Sequence, residues 1–195
     1  MLDPQAVVAL AAQCAPEVAP ATLLAVARAE SGLNPLAIGV NGPRGRRPAA
    51  TNAAEATAAA KALVAAGRDI DLGLAQINVR NLARLGLSIE TAFEPCRNLA
   101  AAAQVLREGY ARGQVRHGPG QAALRVALSV YNTGHAERGF ANGYVARVVA
   151  QAGGAAAPPG AVAVPEPPPP AAWDVFARAA VRPSRFVMSV SGATP

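Results

Sequence analysis

Aromatic residues, lysine, cysteine and long hydrophobic runs are all scarce in this sequence. Phe, Trp and Tyr make up 4% of the 195 residues, and Lys61 is the only lysine. No charge-free apolar run reaches the roughly 20 residues that cross a bilayer, so no transmembrane helix is evident. β-branched residues are too scattered to indicate a large sheet. What is abundant is alanine, which has the highest helix propensity, and the sequence therefore predicts a mainly α protein.

Helical segments separated by proline, glycine and asparagine run from about residue 2 to residue 151, and we predict one domain over 1–151. This length suffices for one well-buried core. Residues 34–45 are predicted as a loop. Asp71 is interpreted as the N-cap of a helix that ends near Leu85. The predicted helices begin near Pro4, Pro20, Ala53, Gly73, Pro95, Gln121 and Asn142.

The C-terminal part has a different composition and is expected to lie outside that domain. Residues 152–172 are rich in Ala, Gly and Pro, which is typical of an extended linker. The tail, residues 173–195, contains Trp173 and Phe176 but is too short to fold alone. Docking on the domain, binding of a partner and disorder all stay open for the tail.

The net charge of +6 comes almost entirely from arginine. A basic protein favours polyanions such as nucleic acid, anionic lipid or an anionic wall polymer. The arginines are spread along the chain apart from Arg44, Arg46 and Arg47, and no aromatic residues interleave with those three. A dedicated nucleic-acid surface is therefore not expected.

Two cysteines, Cys14 and Cys96, allow either one disulfide or two buried thiols. Pairing would imply an oxidising compartment. No signal peptide is visible, because Asp3 occupies the place of the basic region and the first arginine is Arg28. The chain as given is therefore interpreted as cytosolic, processed, truncated or started at the wrong codon.

One carboxylate falls on the apolar face of a predicted helix. Glu30 completes an i, i+3, i+4, i+7 pattern that begins with Leu23, Val26 and Ala27. Loss of hydration there would raise the pKa of the Glu30 carboxyl, so that it donates a proton near neutral pH. Ser31-Gly32 ends the helix directly afterwards, which would place the carboxyl at a cleft. The alternative is a glutamate that extends from the helix edge into solvent.

Two other segments place uncharged polar groups among apolar residues. In Gly73-Leu74-Ala75-Gln76-Ile77-Asn78, the two amides need hydrogen-bond partners or face a hydroxyl-rich ligand, and Gly73 permits close approach of backbone or substrate. In Tyr131-Asn132, the tyrosine lies on the inward face of its helix and needs a partner for its hydroxyl. The alternative for the two amides is that they occupy ordinary polar positions of a helix. The alternative for the tyrosine is that its hydroxyl is directed to the surface.

The ordered motifs Glu-Ser, Gly-x-x-Gln and Tyr-Asn together resemble the lysozyme-like lytic transglycosylases. The resemblance is closer still to the specialised lytic transglycosylases of type IV secretion and conjugative transfer systems. It covers about residues 10–149, with support from residues 30–35, 37–41, 93–99 and 127–134. It implies a goose-type-lysozyme (SLT) helical domain in the periplasm. The implied partners are peptidoglycan strands and secretion or conjugation channel components, and no cofactor or metal is expected.

The resemblance also implies a role for each site residue. Glu30 would protonate the glycosidic oxygen between N-acetylmuramic acid and N-acetylglucosamine. It would then act as base toward the muramic acid 6-hydroxyl, which gives a 1,6-anhydro product. Tyr131 would donate a hydrogen bond to Glu30. The other substrate-binding residues would be Ser31, Gly73, Gln76, Asn78, Asn132 and Tyr144.

A conventional glycosidase uses a second carboxylate, for which Glu55, Asp69 and Asp71 are the candidates. Asp71 is assigned to a helix cap, Asp69 to a solvated loop, and Glu55 to a first helical turn, where negative charge is favoured. The lack of a convincing second acid agrees with attack by the substrate's own hydroxyl but does not exclude hydrolysis. A glycan-binding scaffold with little turnover and a hydrolytic muramidase or chitinase both stay open.

Overall fold

The computed structural model describes residues 1–42 and 48–152. The arginines at 44, 46 and 47, the predicted linker beyond Ala152 and the whole tail lie outside the described residues. The described part is mainly helical, which confirms the predicted class. No helix within it is long and apolar enough to span a membrane. Its helices are α1 (Pro4–Cys14), α2 (Pro20–Ser31), α3 (Ala53–Ala65), α4 (Pro95–His117), α5 (Gln121–Thr133), α6 (Arg138–Ala141) and α7 (Tyr144–Ala152).

Capping residues explain where several helices begin and end. The Asp3 carboxylate accepts the Gln5 N–H at 2.8 Å, ahead of a proline in the first turn of α1. Helix α2 ends at Gly32, whose φ of 60° is the left-handed conformation that terminates helices. Glu55 lies in the first turn of α3, as predicted. Hydrogen bonds from Thr51 lower the pKa of the Glu55 carboxyl.

The predicted helix over residues 73–85 is wrong. Three short strands, β1 (Ile38–Val40), β2 (Ile70–Leu72) and β3 (Ile77–Asn78), form an antiparallel sheet in that order. Single 3-10 turns follow over Val79–Asn81 and Ala83–Leu85. A helix cannot form because Gly73 and Gln76 have φ values of 77° and 52°. Asp71 therefore lies on a strand, and its interpretation as a helix cap is also wrong.

Alanine and glycine allow the helices to pack closely, which accounts for a core with few aromatic residues. Helix α4 is the central element and buries Leu99, Leu106 and several alanines. A Cβ at Gly109 would come within 3.0 Å of the Ala127 Cα, so α5 lies almost directly on the α4 backbone. Small side chains replace bulky ones as the means of excluding water here.

A disulfide joins the end of α1 to the first turn of α4. Cys14 and Cys96 are bonded with their Cα atoms 5.5 Å apart, a normal separation for such a bridge. The loop that it closes contains α2, α3 and the whole sheet. Most of the site described next therefore lies between the two cysteines.

Candidate active site

A cleft of about 430 Å³ opens where the end of α2 meets the sheet and the helices α4 and α5. The described residues contain no group of three or more His, Cys, Asp or Glu side chains that could hold a metal ion. The cleft is predominantly polar, and most of the predicted site residues reach it. Those that line it are Glu30, Gln76, Asn78, Tyr131 and Asn132, joined by Asn41 and Asp71.

Glu30 reaches the cleft from the last turn of α2. The apolar face predicted for this helix is present, since Leu23, Val26 and Ala27 are fully buried. Glu30 itself is half-buried. The sequence pattern thus located correctly a carboxylate at the boundary between core and cleft.

Tyr144 donates a hydrogen bond to Glu30, whereas the hydroxyl of Tyr131, the donor predicted from the sequence, donates to the Ala75 carbonyl. The Tyr144 hydroxyl donates to Glu30 Oε1 at 2.6 Å. Burial, followed by the Glu30 charge, raises the pKa of the Tyr144 phenol far above its usual range, so the hydroxyl remains a donor. Helix α7 makes this contact because it packs on α2, where Arg28 also donates to the Gln151 carbonyl at 3.3 Å. Tyr144 is 2% exposed and supports the site from behind.

Two of the predicted substrate-binding residues, Ser31 and Tyr131, donate hydrogen bonds to the turn between β2 and β3. Ser31 Oγ donates to the Leu74 carbonyl at 2.6 Å. Tyr131 donates to the Ala75 carbonyl at 2.6 Å, and burial of its hydroxyl raises the pKa of this phenol well above the usual value. Ser31 is not among the described residues that line the cleft, whereas Tyr131 is. Both motifs therefore hold the backbone of the turn in place.

Asn98 lies in a segment that supports the family resemblance, but its structural role in the site could not be assigned from the sequence. It is fully buried on α4 and accepts the Ala75 N–H at 2.7 Å. It also donates to the Leu72 and Ala92 carbonyls at 3.0 and 2.7 Å. A lone amide beside the apolar run that starts at Leu99 was the available signal.

Gly73 is required by this packing and is not a cleft-lining residue. A Cβ at Gly73 would lie 2.3 Å from the Ala92 carbonyl oxygen and 2.4 Å from the Asn98 amide nitrogen. The close approach predicted for Gly73 therefore exists, but the protein makes it with its own backbone and side chain.

Gln76 combines a structural contact with exposure to the cleft. Its side-chain nitrogen donates to the Ala37 and Gly73 carbonyls at 3.1 and 2.9 Å. These bonds hold β1 against the turn and support the left-handed conformation of Gln76. The side-chain oxygen packs beside Gly39, where an added Cβ would lie 2.6 Å from it, so the side chain is held on both sides while the residue lines the cleft.

Asp71 is a second carboxylate in the cleft. Its two oxygens accept hydrogen bonds from Asn78 Nδ2 at 2.8 Å and Asn41 Nδ2 at 3.0 Å. Burial is the main cause of a raised pKa for this carboxyl; the two amides oppose the rise and the nearby Asp69 charge adds to it. Asp69 shares the Asn78 amide at 2.9 Å and pairs with Arg80 at 3.3 Å.

Asn132 lies on the exposed rim of the cleft at the end of α5. Its side-chain oxygen accepts the Asn142 amide at 2.9 Å, and Asn142 in turn caps the backbone N–H of Tyr144 at 2.9 Å. The Tyr-Asn motif is thereby linked to the helix that carries the partner of Glu30.

The chain is similar in sequence to known proteins and to one known domain family. Residues 8–151 match the family model for the transglycosylase SLT domain. Type IV secretion system protein virB1 of Brucella abortus biovar 1 (strain 9-941) is 43% identical over 150 residues, which cover 73% of this chain and 62% of that protein. Protein virB1 of Agrobacterium fabrum (strain C58 / ATCC 33970) is 44% identical over 142 residues, which cover 73% of this chain and 57% of that protein.

The chain spans about three fifths of the length of these curated relatives. No solved structure matches it significantly. The family match covers α2 with Glu30, the turn that holds Gln76, and the helices that carry Tyr131 and Tyr144. The chain therefore belongs to the SLT transglycosylase family.

Proposed function

We propose that this protein is a peptidoglycan lytic transglycosylase. It would cleave the β-1,4 bond between N-acetylmuramic acid and N-acetylglucosamine and leave a 1,6-anhydro end. The observation that carries the proposal is the half-buried Glu30 in the cleft, with its carboxylate held by the Tyr144 hydroxyl. Membership of the SLT family supports the reaction class.

Glu30 serves both halves of the reaction. Its protonated carboxyl transfers a proton to the glycosidic oxygen while the bond from that oxygen to C1 of muramic acid breaks. The resulting carboxylate then takes the proton of the 6-hydroxyl as O6 forms a bond to C1. The acid is regenerated and no water is consumed.

Tyr144 positions Glu30 and stabilises its ionised form midway through the reaction. A hydroxyl that donates at 2.6 Å to a carboxylate oxygen makes a strong, charge-assisted bond. Because the phenol holds its own proton tightly, it does not compete as the acid. The proton therefore moves between Glu30 and the substrate alone.

The test is Glu30→Gln, with release of muropeptides from purified sacculi measured by mass spectrometry. Glutamine keeps an oxygen for Tyr144 but cannot transfer the proton, so the rate should fall by about 10³-fold with an unchanged melting temperature. Glu137→Gln is the matched control, because Glu137 is exposed and has a loose 3.4 Å contact with Arg116. A Glu30→Gln protein as active as the parent would refute the assignment.

A hydrolytic muramidase is the second candidate, and Asp71 in the cleft is the observation that favours it. A second carboxylate is what an enzyme needs to activate water. The same mass spectra decide between the two, since anhydro and reducing ends differ by one water. Predominantly reducing ends would assign hydrolysis.

Similarity to the virB1 proteins supports a role beside a type IV secretion or conjugation apparatus, where local opening of the wall would make room for the channel. The disulfide suits an oxidising location such as the periplasm. Deleting the residues after Ala152 tests whether the C-terminal part contacts channel components. Unchanged glycan cleavage with lost co-purification of channel proteins is the expected result, whereas a glycan-binding scaffold would show binding without turnover.

A further inference from the structure

The strand that carries Asp71 commits this side chain to the cleft. Its neighbours Ile70 and Leu72 point into the core and are fully buried. Since alternate residues of a strand face opposite sides, Asp71 cannot leave the cleft unless both apolar neighbours leave the core. The carboxylate is therefore a fixed part of the cleft wall.

The two strands that flank β2 each supply an amide that orients this carboxylate. Asn41 follows β1 and Asn78 ends β3, and each donates to a different oxygen of Asp71. Amide N–H donors favour the ionised form of a carboxylate and restrict its rotation. Such a group is preorganised, so it needs no rearrangement when a charge develops beside it.

No cation of the described chain neutralises Asp71. Arg80, the nearby arginine, pairs with Asp69 instead. Arg84 of the cleft wall pairs with Glu108 at 2.7 Å. Arg112 also lines the cleft, but no ion pair joins it to Asp71 within the described residues. The charged group that acts on Asp71 is Asp69, another carboxylate, and Glu30 and Asp71 both act on Tyr131. A fixed anion that faces a cleft, and that no cation of residues 1–42 and 48–152 pairs with, is complementary to a ligand that becomes positively charged.

We propose that ionised Asp71 stabilises the positive charge that develops on the sugar ring when the glycosidic bond breaks. This inference rests on the proposed transglycosylase function. As Glu30 protonates the leaving oxygen, C1 loses the bonding electron pair and the ring acquires oxocarbenium character. Asp71 forms no covalent bond and transfers no proton; it lowers the energy of that state by charge alone. The 6-hydroxyl then attacks C1 and returns its proton to Glu30.

Asp71→Asn and Asp71→Ser test the role in the full chain. Asparagine preserves the size of the side chain but directs an N–H donor toward the donating amide of Asn41 or Asn78. Serine is made in parallel because its smaller side chain lets water accept the hydrogen bonds of those amides. The initial rate of muropeptide release at saturating sacculi and sedimentation with sacculi are measured together with thermal unfolding. Glu137→Gln again serves as the carboxylate control.

The expected result is a rate about 100-fold lower in both variants, with sacculus binding within twofold of the parent. A folded Asp71 variant with the parental rate would overturn the proposal. So would a loss of sacculus binding as large as the loss of rate, which would make Asp71 a binding residue. The proposal would also be overturned if Asp71→Ser released as much product as the parent but released it with hydrolysed ends in place of anhydro ends. Asp71 would then be a group that excludes water. The Glu30→Gln variant separates the two proposals, because an inactive Glu30→Gln beside a fully active Asp71→Ser removes the Asp71 role alone.

Discussion

The two walls of the cleft hold their carboxylates by different means. We call them the helical wall, where α7 supports Glu30 through Tyr144, and the sheet wall, where Asn41 and Asn78 support Asp71. Glu30 and Tyr144 are 114 residues apart in sequence, whereas Asp71 lies 30 and 7 residues from its two amides. The helical wall depends on packing between helices from the two ends of the domain, whereas the sheet wall depends on pairing of β2 with its two neighbouring strands. Two carboxylates in different environments are suited to different chemical roles.

The largest expected effect comes from the disulfide, which belongs to neither wall. Changing Cys14 and Cys96 to serine frees a loop with 82 residues of sequence separation, for which the chain-entropy relation gives a loss of about 4.5 kcal/mol in the free energy of unfolding. Urea denaturation measures this free energy. Dithiothreitol should lower the free energy of unfolding of the parent but leave that of the double variant unchanged. If the activity per folded molecule also fell, the walls would depend on the bridge.

Asn98→Ala should break the sheet wall selectively. It leaves the Ala75 N–H and the Leu72 and Ala92 carbonyls without their buried partner, which should lower the free energy of unfolding by about 3 kcal/mol. Gln114→Ala, at an exposed amide on the same helix, is the control and should change it little. Equal losses in the two variants would show that Asn98 does not anchor the turn.

Tyr144→Phe should weaken the helical wall selectively, with a rate of muropeptide release about tenfold lower. The lost hydroxyl stabilises the ionised Glu30 carboxylate, so the protonated acid persists to higher pH in the variant. The alkaline limb of the pH-rate profile should therefore move upward. Tyr110→Phe is the control, because the Tyr110 hydroxyl accepts the Gly120 N–H at 2.9 Å instead. An unshifted limb would argue against the Tyr144 role.

The smallest effect is the pH dependence of stability due to Asp71. Its pKa is raised in the folded state, so the folded protein holds this proton more tightly than the unfolded chain. The stability of the parent relative to Asp71→Ser should therefore fall as the pH rises from the ordinary value of 3.8 through the folded-state pKa. Urea denaturation at several pH values measures the difference. A stability difference that is independent of pH would mean that burial does not disfavour the charged form of Asp71. The titratable groups around Asp71 are Asp69, Glu30 and Tyr131.

The helical wall could be predicted from sequence to a large extent. Periodicity placed Glu30 at the edge of the apolar face of α2, and the proline and glycine signals placed the ends of that helix. The identity of its tyrosine partner could not be predicted, because it depends on how α7 crosses α2. Tyr131 has the right spacing and an inward orientation, yet its hydroxyl meets the Ala75 carbonyl.

The sheet wall was mispredicted for a local reason. Residues 73–85 contain few residues that forbid a helix, and the strand within them and the strand before them are only two and three residues long. What excludes the helix is a pair of left-handed residues, Gly73 and Gln76, that buried contacts from Asn98 and Ala37 stabilise. Because Asp71 was assigned to that helix, its place in the cleft could not be recognised.

The distance along the chain between Glu30 and Tyr144 has a consequence for the order in which activity appears. Glu30 emerges early in synthesis, but its hydroxyl partner belongs to the last described helix. A nascent or C-terminally cleaved domain that stops after α5 thus carries the acid without the group that orients it. The proposed glycan-cleaving activity is thereby tied to completion of the domain, and loss of the segment after α5 would lower it by taking away the hydroxyl partner of Glu30.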